Sequence, residues 1–422
     1  MLEKIQKCVI IALLIIVWCI MASLKLSGVN KVYPSGTLAL YDINLETSDR
    51  EFIVIVGAEE SGKSTLLRVI AGLEDVTDGQ IFIDGKDVTE VEPKDRDIAM
   101  VFRNDTLYPA LNVFDNMAFG LKMRKASPTL IEQRVKAAAN ILGLTDILYR
   151  KPKTLTGAQR QKVAIGRAMV REPKLYLLDE PLSGLDDKLK DELLNVIINL
   201  QARMEGTFVY ATKNLNEAMT IGTRLIVMKG GTVQQIDTPA NLYDYPANAY
   251  VAFFIGSPTI NFVNNAKIVK SDEGVFVEKG DFKLKLAENI KARFENIDEY
   301  INNEKSVILG IRPEDAQTVK GSGAKVTKTE SDGETTYAEC EYCSQTLVVK
   351  TQTDASAGEY GLEIDASHAY LFDGETRLTL LKRDEGYEKT GYADADKSPL
   401  TFPEEEELLK KFKADKHAKK KK

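Results

Sequence analysis

The densest chemistry in the chain is the stretch Gly57, Ala58, Glu59, Glu60, Ser61, Gly62, Lys63, Ser64 and Thr65, which has the pattern GxxxxGK[ST]. That spacing builds an anion cradle. Backbone N–H groups of such a loop and of the helix that follows it converge on phosphate oxygens. Lys63 is placed to reach the β- and γ-phosphates, and the Ser64 hydroxyl is a ligand for Mg²⁺. Glu59 and Glu60 are awkward neighbours for a polyanion, because like charges a few ångströms apart repel, so both side chains are expected to turn outward. A second cluster, Asp179-Glu180-Pro181, closes the apolar run 174–178 (KLYLL). An acidic pair at the carboxyl end of a parallel strand lies where open α/β sheets bind ligands. There Asp179 would hold Mg²⁺, directly or through water, and Glu180 would polarise an attacking water.

Both clusters need elements to hold them. The run 51–57 (EFIVIVG) is short, apolar and β-branched and ends in glycine, which predicts a buried parallel strand. The residues after Thr65 (LLRVIAGL) have helical spacing. A strand, a phosphate loop and a helix in that order place the chain in the α/β class, with 174–178 as a second buried strand and 207–212 as a third.

Composition narrows the setting. A chain of 422 residues is too long for one core and predicts two domains, with room for a small third. With 44% hydrophobic and 28% charged residues it is an ordinary folded protein, neither disordered nor polytopic. A net charge of −7 argues against nucleic acid as a partner. Four cysteines cannot staple a chain of this length, which points to a reducing compartment. The two histidines, His368 and His417, exclude a His-rich metal site. At the start, 8–24 is an apolar run of 17 residues with Lys4 and Lys7 before it and Lys25 after it. A spanning helix needs ~20 such residues, with ~17 as the lower limit. Three readings stay open for it: a transmembrane anchor, a secretory signal, or an artefact upstream of a start at Met21.

Between the two acidic and phosphate clusters lies Leu155-Thr156-Gly157-Ala158-Gln159, followed by RQKVAIGRAMVREP. Here the chain resembles the nucleotide-binding subunits of ABC transporters, most of all the ATPases of maltose-type and multiple-sugar importers. The resemblance spans about 21–382. It is carried by KVYPSG (31–36), PKDRDIAMVF (93–102), LYP (107–109), DNMAFGLKMR (115–124), LLDEPLSGLD (177–186), NEAMT (216–220), YDYPANAYVAFFIGSP (243–258) and GIRPED (310–315). It implies a P-loop NTPase (RecA-like) ABC nucleotide-binding domain with a helical subdomain over 21–258, and an all-β OB-like regulatory domain over 259–382. Segments 1–20 and 383–422 fall outside both. It further implies ATP and Mg²⁺ as cofactors, and Tyr33 stacked on adenine. Leu155 to Gln159 would cap the γ-phosphate of a second ATPase subunit's nucleotide across a head-to-tail homo- or heterodimer. The turn ending at Asp186 would also face the opposite site. Membrane subunits of the transporter would dock a coupling helix near 103–109, and an extracytoplasmic sugar-binding protein would act through them. The implied location is the cytoplasmic face of the membrane.

Departures from the family pattern fall at the chemistry. Arg103 stands where the family has the glutamine that joins Mg²⁺ and the attacking water. Lys213 stands where a histidine contacts the γ-phosphate, and Asn214 replaces the acid after it. Thr156 and Ala158 replace the signature serine and second glycine. Arginine cannot accept a proton or serve as a neutral metal ligand, and lysine offers a point charge in place of a directed imidazole bond. Losing a water-orienting group costs ~10²–10⁴ in rate, whereas binding rests on the retained Lys63, Ser64 and Asp179. Two expectations follow: a transport ATPase with weakened hydrolysis, or a nucleotide-binding regulatory subunit paired with an intact ATPase.

Beyond residue 259 the texture changes to short alternating runs, 274–286 and 336–350, which predict a small β-barrel. Cys340 and Cys343 form a CxxC that, on a strand, would face opposite sides and so not share a metal. The charged tail 383–422, with its Glu406–Lys410 and Glu407–Lys411 spacings, predicts a short solvated helix and a lysine-rich end able to meet anionic lipid.

Overall fold

The computed structural model describes residues 23–103, 107–204, 206–287, 290–331, 335–351 and 357–382. The segments 1–20 and 383–422, most of the apolar run 8–24 and His417 therefore lie outside the described residues. Leu24, the last residue of that run, is fully buried and opens the strand Leu24–Val32. Among the described residues no helix is long and apolar enough to cross a membrane. Two compact units divide at Pro239/Ala240, so the short helix Ala249–Phe254 belongs to the second.

The first unit is built on a six-stranded sheet in the order Thr232–Asp237, Arg224–Lys229, Phe52–Val56, Thr207–Thr212, Leu175–Asp179, Ile98–Val101. Its pairings are parallel except at the Thr232–Asp237 edge. Every residue of Phe52–Val56, Leu175–Asp179 and Thr207–Thr212 is buried, as expected of parallel strands covered on both faces. A smaller antiparallel sheet, built mainly from Leu24–Val32, Leu38–Glu46 and Asp78–Ile83, shares its core with this one. The acidic strand begins and ends one residue later than its apolar run predicts. Asp179 still pairs with Ala211, and the Glu180 N–H donates to Ala211 O at 2.9 Å, so the ladder carries the chain past Leu178.

A helical layer follows Ile98–Val101: Val113–Met123, Pro128–Leu142 and Gly157–Met169. Each start has a local cause. Asn112 and Ser127 accept from the backbone three residues on, with Pro128 at the first helical position. Thr156 and Gln159 form a reciprocal capping box.

The second unit is β-rich. Five antiparallel strands run Phe282–Lys285, Gly274–Lys279, Asn261–Ser271, Ser306–Ile311, Tyr370–Asp373. The long strand Ala316–Ser331 pairs with Thr336–Tyr342, with Gly358–Ile364 and, at Gln317↔Lys350, with Gln345–Thr351, closing a small barrel. Val326, Ala338, Cys340, Leu347 and Val349 fill its interior. Cys343 is not on a strand. It shares a two-residue hairpin turn with Ser344, both at positive φ (47° and 58°), the primed geometry that suits a tight hairpin. Arg312, 1% exposed, donates to the carbonyls of Ala252, Ile255 and Tyr243, and its guanidinium lies 4.0 Å from the Tyr243 ring centroid. It thereby satisfies backbone acceptors at the end of the helix Ala249–Phe254.

Candidate functional site

Register places the chemistry on one edge of the large sheet. Val56 is level with Thr212, and Asp179 with Ala211, so Gly57, Lys213 and Glu180 all emerge at the carboxyl ends of adjacent buried strands. The loop between Val56 and the helix Lys63–Ala71 turns tightly. Gly62 sits at φ +98°, and a Cβ on Gly57 would come within 2.3 Å of Met228 O, so glycine is required at both places. Lys63 is buried and donates to Gly57 O at 2.9 Å, to Ala58 O at 2.7 Å and to Ser61 Oγ at 3.3 Å. Burial pushes its pKa down, against the opposing pull of Glu180 and Asp179.

Ser64 Oγ donates to Asp179 Oδ1 at 2.8 Å, joining the first turn of the loop helix to the acidic strand 115 residues away. A hydroxyl and a carboxylate at that distance form the oxygen donor set that a hard cation such as Mg²⁺ prefers. Glu180, 8% exposed and at φ +44°, is near enough for its charge to act on Lys63. Its Oε2 is buried and has no aligned hydrogen bond, although Arg103 Nε lies 3.3 Å away as an ion pair. The same Nε donates to Ser183 Oγ at 3.2 Å, which takes the directed bond. Arg103 therefore lies directly over the Glu180 carboxylate.

Lys213 leaves the end of the strand Thr207–Thr212 and donates to Glu59 Oε1 at 2.7 Å. Glu59 and Glu60 are exposed as expected, but Glu59 is drawn to a cation of the site instead of facing open water. That hydrogen bond, with further pull from Arg103 and Lys63, holds the Glu59 carboxyl below the usual range. Asn214 caps the helix Leu215–Ile221 by accepting from the N–H groups of Asn216 and Glu217.

Sequence reasoning missed the floor beneath Lys213. Glu217 is buried, and its Oε2 accepts from Tyr210 at 2.8 Å and from Thr212 at 2.8 Å. The signal available was a glutamate five residues beyond a strand end, spaced to reach back to it. Tyr33 is half-buried, with its hydroxyl 3.4 Å from Thr65 Oγ1 and Lys31 Nζ 5.0 Å from its ring centroid. The residues Leu155 to Gln159 are not joined to the loop: their hydrogen bonds stay local, within 152–160, and Asp186 caps its own helix by accepting from Leu189 at 3.1 Å. Near 103–109, Phe102 and Tyr108 are exposed, and the Tyr108 ring packs 4.6 Å from Phe119. Residues 104–106 lie outside the described set.

Comparison with known proteins matches residues 40–183 to the family described as ABC transporter and residues 256–316 to the MalK OB fold domain. The chain is 42% identical over 372 residues to the oligosaccharides import ATP-binding protein MsmX of Bacillus subtilis (strain 168), covering 85% of this chain and 100% of the relative. It is 43% identical to the sn-glycerol-3-phosphate import ATP-binding protein UgpC of Salmonella typhimurium, covering 84% and 99%. A putative uncharacterized ABC transporter ATP-binding protein of Escherichia coli (strain K12), YcjV, matches at 42%, covering 85% and 100%. The chain belongs to the ATP-binding proteins of ABC transporters, with a P-loop ATPase fold followed by a MalK-type OB fold.

Proposed function

We propose that this ABC transporter ATP-binding protein couples Mg²⁺-ATP to carbohydrate import, with the hydrolytic step slowed at Glu180. The observation that carries the slowing is the position of Arg103, 3.3 Å from Glu180 Oε2 and bonded to Ser183 Oγ. A guanidinium against a carboxylate competes with the water that the carboxylate would polarise. Binding is supported separately. Gly57 to Thr65 would hold the phosphates, Lys63 would exchange carbonyl partners for phosphate oxygens, and Ser64 with Asp179 would hold Mg²⁺. Mg²⁺ in that place supplies neutralisation of phosphate charge. Tyr33 would stack on adenine. Leu155 to Gln159 and Asp186, whose hydrogen bonds are local, would serve the nucleotide of a second ATP-binding subunit.

The import assignment rests on relatives named for oligosaccharides and for sn-glycerol-3-phosphate at nearly equal identity, so it is made to the carbohydrate class and to no single cargo. The partners proposed are the transporter's membrane subunits, docking at the exposed Phe102 and Tyr108 face on the cytoplasmic side, and through them an extracytoplasmic binding protein. The sequence predicts a limit at 258/259; we propose instead that the first domain ends at the Pro239/Ala240 division of the two compact units. The contact over Glu180 also favours the second reading, a nucleotide-binding regulatory subunit beside an intact ATPase.

Steady-state ATP hydrolysis by residues 21–422 separates the two. Turnover that Glu180→Gln abolishes makes the chain a working ATPase. Bound ATP without Glu180-dependent turnover, with hydrolysis gained in Arg103→Gln/Lys213→His, makes it the regulatory partner. Failure to bind ATP at all would sink both readings.

A further inference from the structure

Three cations face the loop, and each already has a partner within the protein. Lys63 is spent on loop carbonyls and Ser61, Arg103 on Glu180 and Ser183, and Lys213 on Glu59. Lys63 is held by backbone carbonyls and Ser61, and Arg103 lies against Glu180, which is 8% exposed. Glu59 differs: its side chain is 69% exposed, Lys213 bonds it directly, and the charges of Arg103 and Lys63 act on the same carboxylate. A carboxylate held among the cations that a polyphosphate requires competes with that polyphosphate.

The competition is unequal between nucleotides. A diphosphate is satisfied by loop N–H groups and Lys63, and leaves Lys213, at the end of the strand Thr207–Thr212, with its glutamate. A third phosphate brings new anionic oxygens towards that strand end and must displace Glu59 to be met there. We infer that Glu59 is a built-in stand-in for the γ-phosphate, lying on Lys213 until a triphosphate displaces it, and that it thereby sets how far the site prefers triphosphate over diphosphate. This rests on the nucleotide reading above. Exposed ion pairs are weak, so the latch tunes the preference and does not close the site.

The test is equilibrium dialysis of the full chain with Mg²⁺ and either ADP or the non-hydrolysable triphosphate AMP-PNP. The proteins compared are the unchanged chain, Glu59→Gln, Lys213→Met and the double variant. Glu59→Gln should raise the triphosphate-to-diphosphate affinity ratio about two- to fivefold. Lys213→Met should lower the ratio and cancel the effect of Glu59→Gln in the double variant. If Glu59→Gln tightens both nucleotides equally, or acts as strongly without Lys213, Glu59 is only a repulsive charge and the inference falls alone. If the unchanged chain binds neither nucleotide, the nucleotide reading falls and takes this inference with it. Both side chains are exposed, so loss of folding does not cloud either outcome.

Discussion

On the side of the loop and the Ser64–Asp179 pair, polar groups are tied to neighbours that the fold cannot move. Lys63 reaches carbonyls five and six residues away, and Ser64 meets an aspartate inside a fully buried strand. On the water side, the cations are tied to carboxylates by contacts that are partly exposed and span 154 residues for Lys213–Glu59. The first arrangement is pre-organised for an anion. Under the proposed function, the second would have to be rearranged before hydrolysis. Binding and hydrolysis are therefore expected to be separable, and substitutions should move one without the other.

The largest effect should come from Glu180→Gln, which lowers ATP turnover by ~10²–10⁴ while leaving the Kd for ATP near its starting value. A parallel loss of binding, read by dialysis, would break the distinction. Lys63→Ala should do the reverse and weaken ATP about 10- to 100-fold, since charge-assisted bonds to phosphate are lost. Glu217→Ala tests whether the water side has a rigid floor. Leaving the buried Tyr210 and Thr212 hydroxyls without their acceptor should cost about 1–3 kcal/mol in denaturant unfolding. Arg103→Gln should raise turnover on the order of tenfold, a fraction of what a positioned water-orienting group supplies, with little change in Kd.

The smallest effect concerns pH. Lys213 lowers the Glu59 pKa, so their pair is intact above the ordinary carboxylate range and is lost only as pH falls through the lowered value. The triphosphate preference should stay flat between about pH 6 and 8 in the same dialysis.

What could be read from the sequence was whatever one segment determines by itself. The loop pattern, the strand 207–212 and the hairpins near 274–286 and 336–350 are local, and the structure has strands at each. The acidic strand shifted by one residue because its neighbour's ladder, not its own apolar run, decides where it stops. Cys343 fell in a turn because a CxxC pattern carries no information on where a hairpin reverses. The pairings Glu59–Lys213 and Arg103–Glu180 were illegible for a plainer reason. A charged residue states its sign in sequence, but the partner it finds is set by strand order.

Arg312 bears on how this protein could be recombined with its relatives. Its guanidinium is buried against Tyr243 and bonded to carbonyls at 243, 252 and 255, all of them N-terminal to the strand Asn261–Ser271. A hybrid spliced at 258 would pair one parent's arginine with another parent's helix end, and any mismatch would strand a charge in the interior. Splicing at 239 moves the arginine and its acceptors together, so the seam of an exchangeable module lies some twenty residues ahead of the point where the β-rich sequence begins.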